Sequence, residues 1–337
     1  MKVSVINKAH EVALEERETP SPGPQEVLVR MRAMGICGTD LHVYEGGHPV
    51  VTFPHIPFHE MSGEVASTGA GAEDLRPGQH VVVEPVIECG RCYSCRIGIP
   101  HNCFQLQFRG IHVDGGGREY MVVPRHKLYP VPDDWPHEKA ALAEPLGIGL
   151  ESAHTADLIP GDTVAVFGAG PIGLAVLLAA KQGGHRTLIF DIEEPCLNRA
   201  RALGADEAVN LRQTDPLEAI RDFTKGEGAN VVVEASGKAS NFPLSVEGVS
   251  ICGRVVIAGL ILEEVSLVPF TLIRKRISLR GTRNSNKIPQ AIELLKERPE
   301  IAETFITHRL PISRVKEGFE LLLKRPEDIC KIMLLWD

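Results

Sequence analysis

Between Cys89 and Cys103 the chain places four cysteines, Cys89, Cys92, Cys95 and Cys103, on a short lobe (residues 86–106) that also holds Gly90, Gly98 and Pro100. Four thiolates with no open position describe a closed tetrahedral zinc site. An iron–sulfur cluster also draws on closely spaced cysteines, but this spacing departs from the ferredoxin runs and no proline follows Cys103. A small secreted disulfide scaffold would not have 337 residues with 43% of them hydrophobic, so metal in a reducing cytoplasm is the better reading. Cys196, Cys252 and Cys330 sit in apolar patterns and read as ordinary buried thiols. A second set is dispersed: Cys37 in Gly35-Ile36-Cys37-Gly38-Thr39-Asp40, His59 followed by Glu60, and Glu144 in Ala143-Glu144-Pro145. One thiolate, one imidazole and one carboxylate are the donor types of an open catalytic zinc, although spacing alone does not select them.

The third motif is Gly168-Ala169-Gly170-Pro171-Ile172-Gly173. Its glycines permit a tight turn, close approach of a pyrophosphate and close helix–strand packing, and the helix that follows offers free amides and a positive dipole end. Asp191 ends the next apolar run 18 residues past Gly173, near the usual offset of about 20. A carboxylate there holds ribose hydroxyls and repels a 2′-phosphate. Ile192, Glu193 and Glu194 follow with no arginine to receive one, which favours NAD over NADP.

These motifs need two kinds of scaffold. Residues up to about 147 read as short strands and Gly/Pro-punctuated loops, with strands over 27–31, 61–68 and 80–83. From Thr163 the texture changes to apolar strands alternating with helices. The strands lie over 163–167, 187–191, 207–211, 230–235, 254–258 and 277–280, and helical patterns over 172–181, 196–203 and 217–223 separate them. Continuous Val/Ile runs joined by helices predict a doubly wound parallel sheet over 148–287. After Lys287 come two helices (289–296 and 315–323), an irregular or strand-like stretch over 304–310 and a final strand over 329–335. This tail breaks the alternation and reads as returning to complete the first domain, residues 1–147 and 288–337.

A formal charge of −8 with no basic stripe disfavours nucleic acid as a partner. The start, Met1-Lys2-Val3-Ser4-Val5-Ile6-Asn7-Lys8, turns charged before a signal-peptide core forms, and the uncharged run 163–180 is broken by three glycines and a proline. A cytoplasmic protein without membrane contact is expected.

Taken together, Gly35-Ile36-Cys37-Gly38-Thr39-Asp40-Leu41-His42, His59-Glu60, the four-cysteine lobe, Asp114-Gly115-Gly116 with Glu119-Tyr120, Ala143-Glu144-Pro145, the glycine motif and Asp191 resemble the zinc-containing medium-chain dehydrogenases, in their polyol and sugar-acid branch. The likeness covers essentially the whole chain. It implies a mainly-β, GroES-like catalytic domain and a Rossmann domain, with two zinc ions and NAD. It also implies that Cys37, His59 and Glu144 ligate the catalytic zinc, that Glu60 is a nearby carboxylate able to exchange onto it, and that Thr39 and His42 relay the hydroxyl proton to solvent. Taken without the likeness, Thr39 would be a helix cap and His42 a surface histidine. Glycine usually precedes the His-Glu pair in this family; here Phe58 stands there, which puts local backbone geometry and pocket shape in question.

The zinc of such a site makes an alcohol acidic, and the carbinol hydride passes to the nicotinamide between the domains. Arg283 and Asn284 resemble the corresponding segment of dehydrogenases acting on hexonates. An arginine pairs with a carboxylate and an asparagine with hydroxyls, so a sugar acid of the L-gulonate or L-galactonate type, oxidised at C5, is the expected substrate. A polyol such as sorbitol or a vicinal diol comes next, then threonine. A catalytically silent dinucleotide-binding protein and a zinc-free quinone reductase fit the metal ligands less well. Analogy implies a homodimer or homotetramer.

Overall fold

The computed structural model describes residues 1–324 and 328–336; residues 325–327 and 337, which belong to the tail assigned to the first domain, lie outside the described residues. The chain divides into two compact units, Met1–Glu144 with Ile288–Asp337, and Pro145–Lys287.

The first unit begins with an antiparallel hairpin, β1 (Lys2–Lys8) and β2 (Glu11–Glu16). Next come β3 (Glu26–Gly35), β4 (Glu60–Thr68), β5 (His80–Val83), the paired short strands β6 (Val86–Ile87) and β7 (Gln107–Phe108), then β8 (Tyr120–Pro124) and β9 (Leu128–Pro130). On β3 the residues Val27, Val29, Met31 and Ala33 are fully buried while Leu28, Arg30 and Arg32 are only partly covered. That period of two fixes which face meets the core.

The second unit is a six-stranded parallel sheet of β10 (Thr163–Phe167), β11 (Arg186–Asp191), β12 (Glu207–Asn210), β13 (Ala229–Glu234), β14 (Val249–Ile257) and β15 (Ser278–Gly281). The spatial order is β12-β11-β10-β13-β14-β15. The order reverses at β10 and β13, and in sheets of this kind ligands bind at the strands' carboxyl ends at such a switch point. Cys252 departs from the expected pattern: it lies on β14 but is exposed, at a positive φ of 58°, where the strand bulges before regaining its register with β13.

The tail returns as β16 (Ile306–Pro311) and β17 (Lys331–Leu335), joining a seven-stranded sheet of order β16-β17-β3-β4-β5-β9, with β8 also paired to β3. The stretch 304–310 is not uniform. A helix, Glu300–Phe305, precedes β16, opened by Pro299 and carrying Glu300 and Glu303 in its first turn, where the dipole favours them. Among the described residues no helix is long and apolar enough to cross a membrane.

Candidate active site and metal centres

Gly35 at the end of β3 is paired in register with Glu60 at the start of β4. That pairing brings Cys37, which caps the helix Gly38–Tyr44, beside His59 and Glu60. One donor atom from each of the three lies within 4.8 Å of the others. Asp40, in the first turn of the same helix, locks the corner: its two carboxylate oxygens accept from the Cys37 amide at 2.9 Å and the Phe58 amide at 3.0 Å. Lys331, the first residue of β17, reaches in from the far end of the chain, its Nζ 2.6 Å from Glu60 Oε1 in a buried ion pair.

Burial raises the Asp40 carboxyl above its ordinary range against the pull of His59. Burial alone would lower the His59 imidazole, but Asp40, Cys37 and Glu144 together hold it well above its usual value. Burial pushes Glu144 up to about 7, opposed by His59. Such a crowd of donors is costly when no cation neutralises it. Two buried atoms, His59 Nδ1 and Glu60 Oε2, have no hydrogen-bond partner. A Cβ at residue 35 would lie 1.9 Å from that Glu60 oxygen, so glycine is what leaves it room. Sulfur, imidazole and carboxylate converging with atoms left unpartnered fit zinc, which takes the place of the proton on the imidazole. The three residues brought together differ from the set the likeness implied. Glu60 is in the tight group, while Glu144, on the first turn of the helix Ala143–Ala156, is buried and feels His59 and Glu60 but stands outside that group.

Thr39 and His42 share the helix Gly38–Tyr44, one turn apart. The Thr39 hydroxyl lies 3.8 Å from Cys37 Sγ, and His42 is partly exposed, with Nδ1 3.9 Å from Glu45. Phe58 is fully buried and holds φ at 78°, the left-handed region that favours glycine. Its ring stacks on Phe319 at 5.9 Å.

In the lobe, Cys92 Sγ stands 3.4 Å from Cys95 Sγ and 3.8 Å from Cys103 Sγ, and no disulfide forms. Four bonds of about 2.3 Å to a tetrahedral zinc place sulfurs about 3.8 Å apart. Backbone amides of Cys89 and Gln105 point at Cys103 Sγ, and that of Phe104 at Cys92 Sγ. The Phe104 amide leads in pulling the Cys92 thiol down to about 6.

In the second unit, Gly170 caps the helix Pro171–Gln182, with Pro171 and Ile172 in its first turn. A Cβ on Gly173 would sit 1.8 Å from the Gly168 carbonyl oxygen, whereas one on Gly170 would meet nothing within 4 Å. Gly173 serves packing, and Gly170 leaves open space where a phosphate would approach. Asp191 ends β11 with its carboxylate tied to the amides of Ala169 at 2.7 Å, Ile192 at 2.7 Å and Glu193 at 3.0 Å. Arg283, exposed, and Asn284, partly buried at φ 51°, follow β15.

Two residues of the metal centre escaped sequence reasoning. Asp40 lies inside a motif already singled out, three residues past the cap, a position that signals a capping role. Lys331 gave no local signal, since the register of β17 on β3 alone brings it in.

Residues 23–133 match the alcohol dehydrogenase GroES-like domain, and residues 171–297 match the zinc-binding dehydrogenase family. The chain is 33% identical to sorbitol dehydrogenase of Bacillus subtilis over 99% of its length and 97% of the relative's. It is 31% identical to L-galactonate-5-dehydrogenase of Escherichia coli over 95% and 94%. Over a shorter span, 77% and 75%, it is 38% identical to L-threonine 3-dehydrogenase of Thermococcus kodakarensis. A crystal structure of RspB from E. coli, described as complexed with NADH, superposes with a TM-score of 0.92 at 32% identity, covering 99% of both chains. The chain therefore belongs to the zinc-containing medium-chain dehydrogenases, a GroES-like domain joined to a Rossmann domain. It is an oxidoreductase of the alcohol dehydrogenase type, and its two donor clusters fit a structural and a catalytic zinc.

Proposed function

We propose that this protein oxidises a secondary alcohol of a sugar acid, of the L-gulonate or L-galactonate type at C5, with NAD as acceptor. The observation that carries the dehydrogenase chemistry is the convergence of the partly buried Cys37 with the buried His59 and Glu60, where His59 Nδ1 and Glu60 Oε2 have no hydrogen-bond partner. Zinc held by Cys37, His59 and a carboxylate from Glu60 or Glu144 supplies Lewis acidity toward an alcohol oxygen, and NAD supplies the hydride acceptor. Thr39, beside the Cys37 sulfur, accepts the hydroxyl proton as it gives up its own, and His42, one turn along and partly exposed, passes that proton to solvent. Lys331 holds one oxygen of Glu60 and leaves the other free to face the metal. Gly168, Gly170 and Gly173 cradle the pyrophosphate at the helix N-terminus, while Asp191 binds ribose hydroxyls and disfavours a 2′-phosphate.

Support for the sugar acid comes from the galactonate-oxidising relative and from Arg283, whose exposed guanidinium suits a carboxylate. The sorbitol dehydrogenase relative supports a polyol as the second reading, and the threonine dehydrogenase a third. A homodimer or homotetramer is part of the same proposal. It is supported by apolar side chains left bare near the edge strand β15, among them Phe270 at 64% and Ile273 at 74% exposed.

The test is a panel of hexonates and matching hexitols with NAD, followed by NADH absorbance, with NADP as control. A hexonate turned over in preference to its hexitol, with the preference lost in Arg283→Ala, supports the sugar acid. Activity confined to hexitols or diols moves the function to the polyol reading. Sedimentation of the same preparations as single chains removes the oligomer.

A further inference from the structure

Glu64 and His80 face each other across β4 and β5 as register partners. His137 opens the short helix His137–Ala141, which packs on β3, β4 and β5. The three side chains bring one donor atom each within 4.8 Å of one another. The two imidazole rings lie 4.0 Å apart between centroids, tilted by 39°. The Nδ1 atoms of both are buried and have no hydrogen-bond partner. Two imidazoles brought this close with unpartnered nitrogens forfeit hydrogen bonds on both sides, a cost that a bridging cation removes.

The scaffold around the cluster is fixed from the backbone. The Ser62 hydroxyl donates to the His137 carbonyl at 2.5 Å, and the His80 amide donates to Asp133 at 3.1 Å. Burial, then His80 and Arg32, push the His137 imidazole down to about 4, so at neutral pH it presents a lone pair rather than a charge. Arg32 and Arg30 approach Glu64 Oε1 at 3.3 and 3.6 Å.

We propose that Glu64, His80 and His137 form a third metal site in this chain, for a transition-metal dication of the zinc type. Two imidazoles and one carboxylate select zinc and its neighbours over magnesium or calcium, which prefer all-oxygen shells. The two arginines oppose a dication, so this site is the weakest of the three and exchanges its ion most readily. It uses no residue of the Cys37 centre or of the four-cysteine lobe.

Equilibrium dialysis of the holoenzyme against zinc chloride, read as bound zinc per chain by elemental analysis, tests the site. The wild type is expected to saturate at three equivalents, and His137→Asn and His80→Gln at two, with dehydrogenase turnover unchanged. Glu64→Gln keeps both imidazoles and is expected to move the midpoint of the third equivalent up by about tenfold or more, a loss at least as large as that of an outer-shell partner. Magnesium chloride in place of zinc is expected to add no equivalent. Wild type saturating at two, or folded histidine variants that still take up three, overturns the proposal. His80 is on a strand and His137 on a helix, so a variant that fails to fold leaves the other to decide.

Discussion

The sulfurs of Cys89, Cys92, Cys95 and Cys103 come from one short lobe whose regular structure amounts to the two-residue strand β6, the helix Tyr93–Arg96 and the 3-10 turn Pro100–Asn102. Cys37, His59 and Glu60 instead sit at adjoining strand ends of a seven-stranded sheet, held there by Asp40 and Lys331. The lobe has almost no core of its own, so its order depends on its ligands agreeing on a metal. At the Cys37 centre the sheet forms the corner and the donors are presented with lone pairs to spare. A metal can therefore serve folding in one place and chemistry in the other.

Single substitutions separate these roles, and the largest effect is expected at the Cys37 centre. Cys37→Ala is expected to lower kcat/KM by about a thousandfold or more, roughly 4 kcal/mol of transition-state stabilisation, while the thermal midpoint moves little. Cys92→Ser is expected to do the reverse, releasing one zinc per chain and lowering the midpoint while the folded fraction keeps its turnover. Steady-state kinetics beside thermal unfolding of both variants checks the pair. Equal losses of activity and stability in both would erase the distinction.

Lys331 sharpens the comparison from the other side, because it makes the catalytic corner depend on the C-terminal strand. Lys331 and Glu60 are 4% and 2% exposed, so Lys331→Met leaves a carboxylate buried without its partner, at a cost of about 3–5 kcal/mol. Glu60 lifts the Lys331 pKa above its ordinary value against the effect of burial. A raised lysine contributes its full stability below the unfolded pKa of about 10.4 and loses it only as pH rises through the folded value. The lysine's own contribution is therefore expected to stay flat from about pH 6 to 9, and Lys331→Met combined with Glu60→Gln to recover much of the deficit. Denaturation of the wild type and the two variants across that range tests the coupling. A double variant no more stable than Lys331→Met would mean that Glu60 was never the stranded group.

The lobe was legible in the sequence because its ligands lie close along the chain and their spacing alone limits the geometry. The glycine motif was legible for the same reason, a turn being a local event. The Cys37 centre was legible only in outline. Which carboxylate joins Cys37 and His59 depends on the pairing of β3 with β4, and that register places Glu60 rather than Glu144 in the tight group. The contact of Lys331 with Glu60, 271 residues away, is set by strand order and has no local pattern. The helix Glu300–Phe305 was hidden because six residues give periodicity too little length to declare itself.

Phe58 was visible as an unusual residue before His59, and its backbone shows why. Its φ of 78° is held from both sides: its amide donates to Asp40 Oδ1 at 3.0 Å and its carbonyl accepts from Gly116 at 2.9 Å. A left-handed bulky residue costs about 1–2 kcal/mol, and removing a fully buried phenylalanine ring costs about 3–5 kcal/mol. The ring outweighs the strain, so either truncation destabilises, but not equally. Phe58→Ala loses the ring and keeps the strain, whereas Phe58→Gly loses the ring and relieves it, at some entropic cost in the unfolded chain. The glycine variant is expected to be the more stable by about 1 kcal/mol, a midpoint difference of about 2–4 °C for a unit of this size. Thermal unfolding of the two holoenzymes decides it. An alanine variant at least as stable as the glycine one would show that the corner relaxes once the ring is gone, and that the sheet alone does not hold the backbone beside His59.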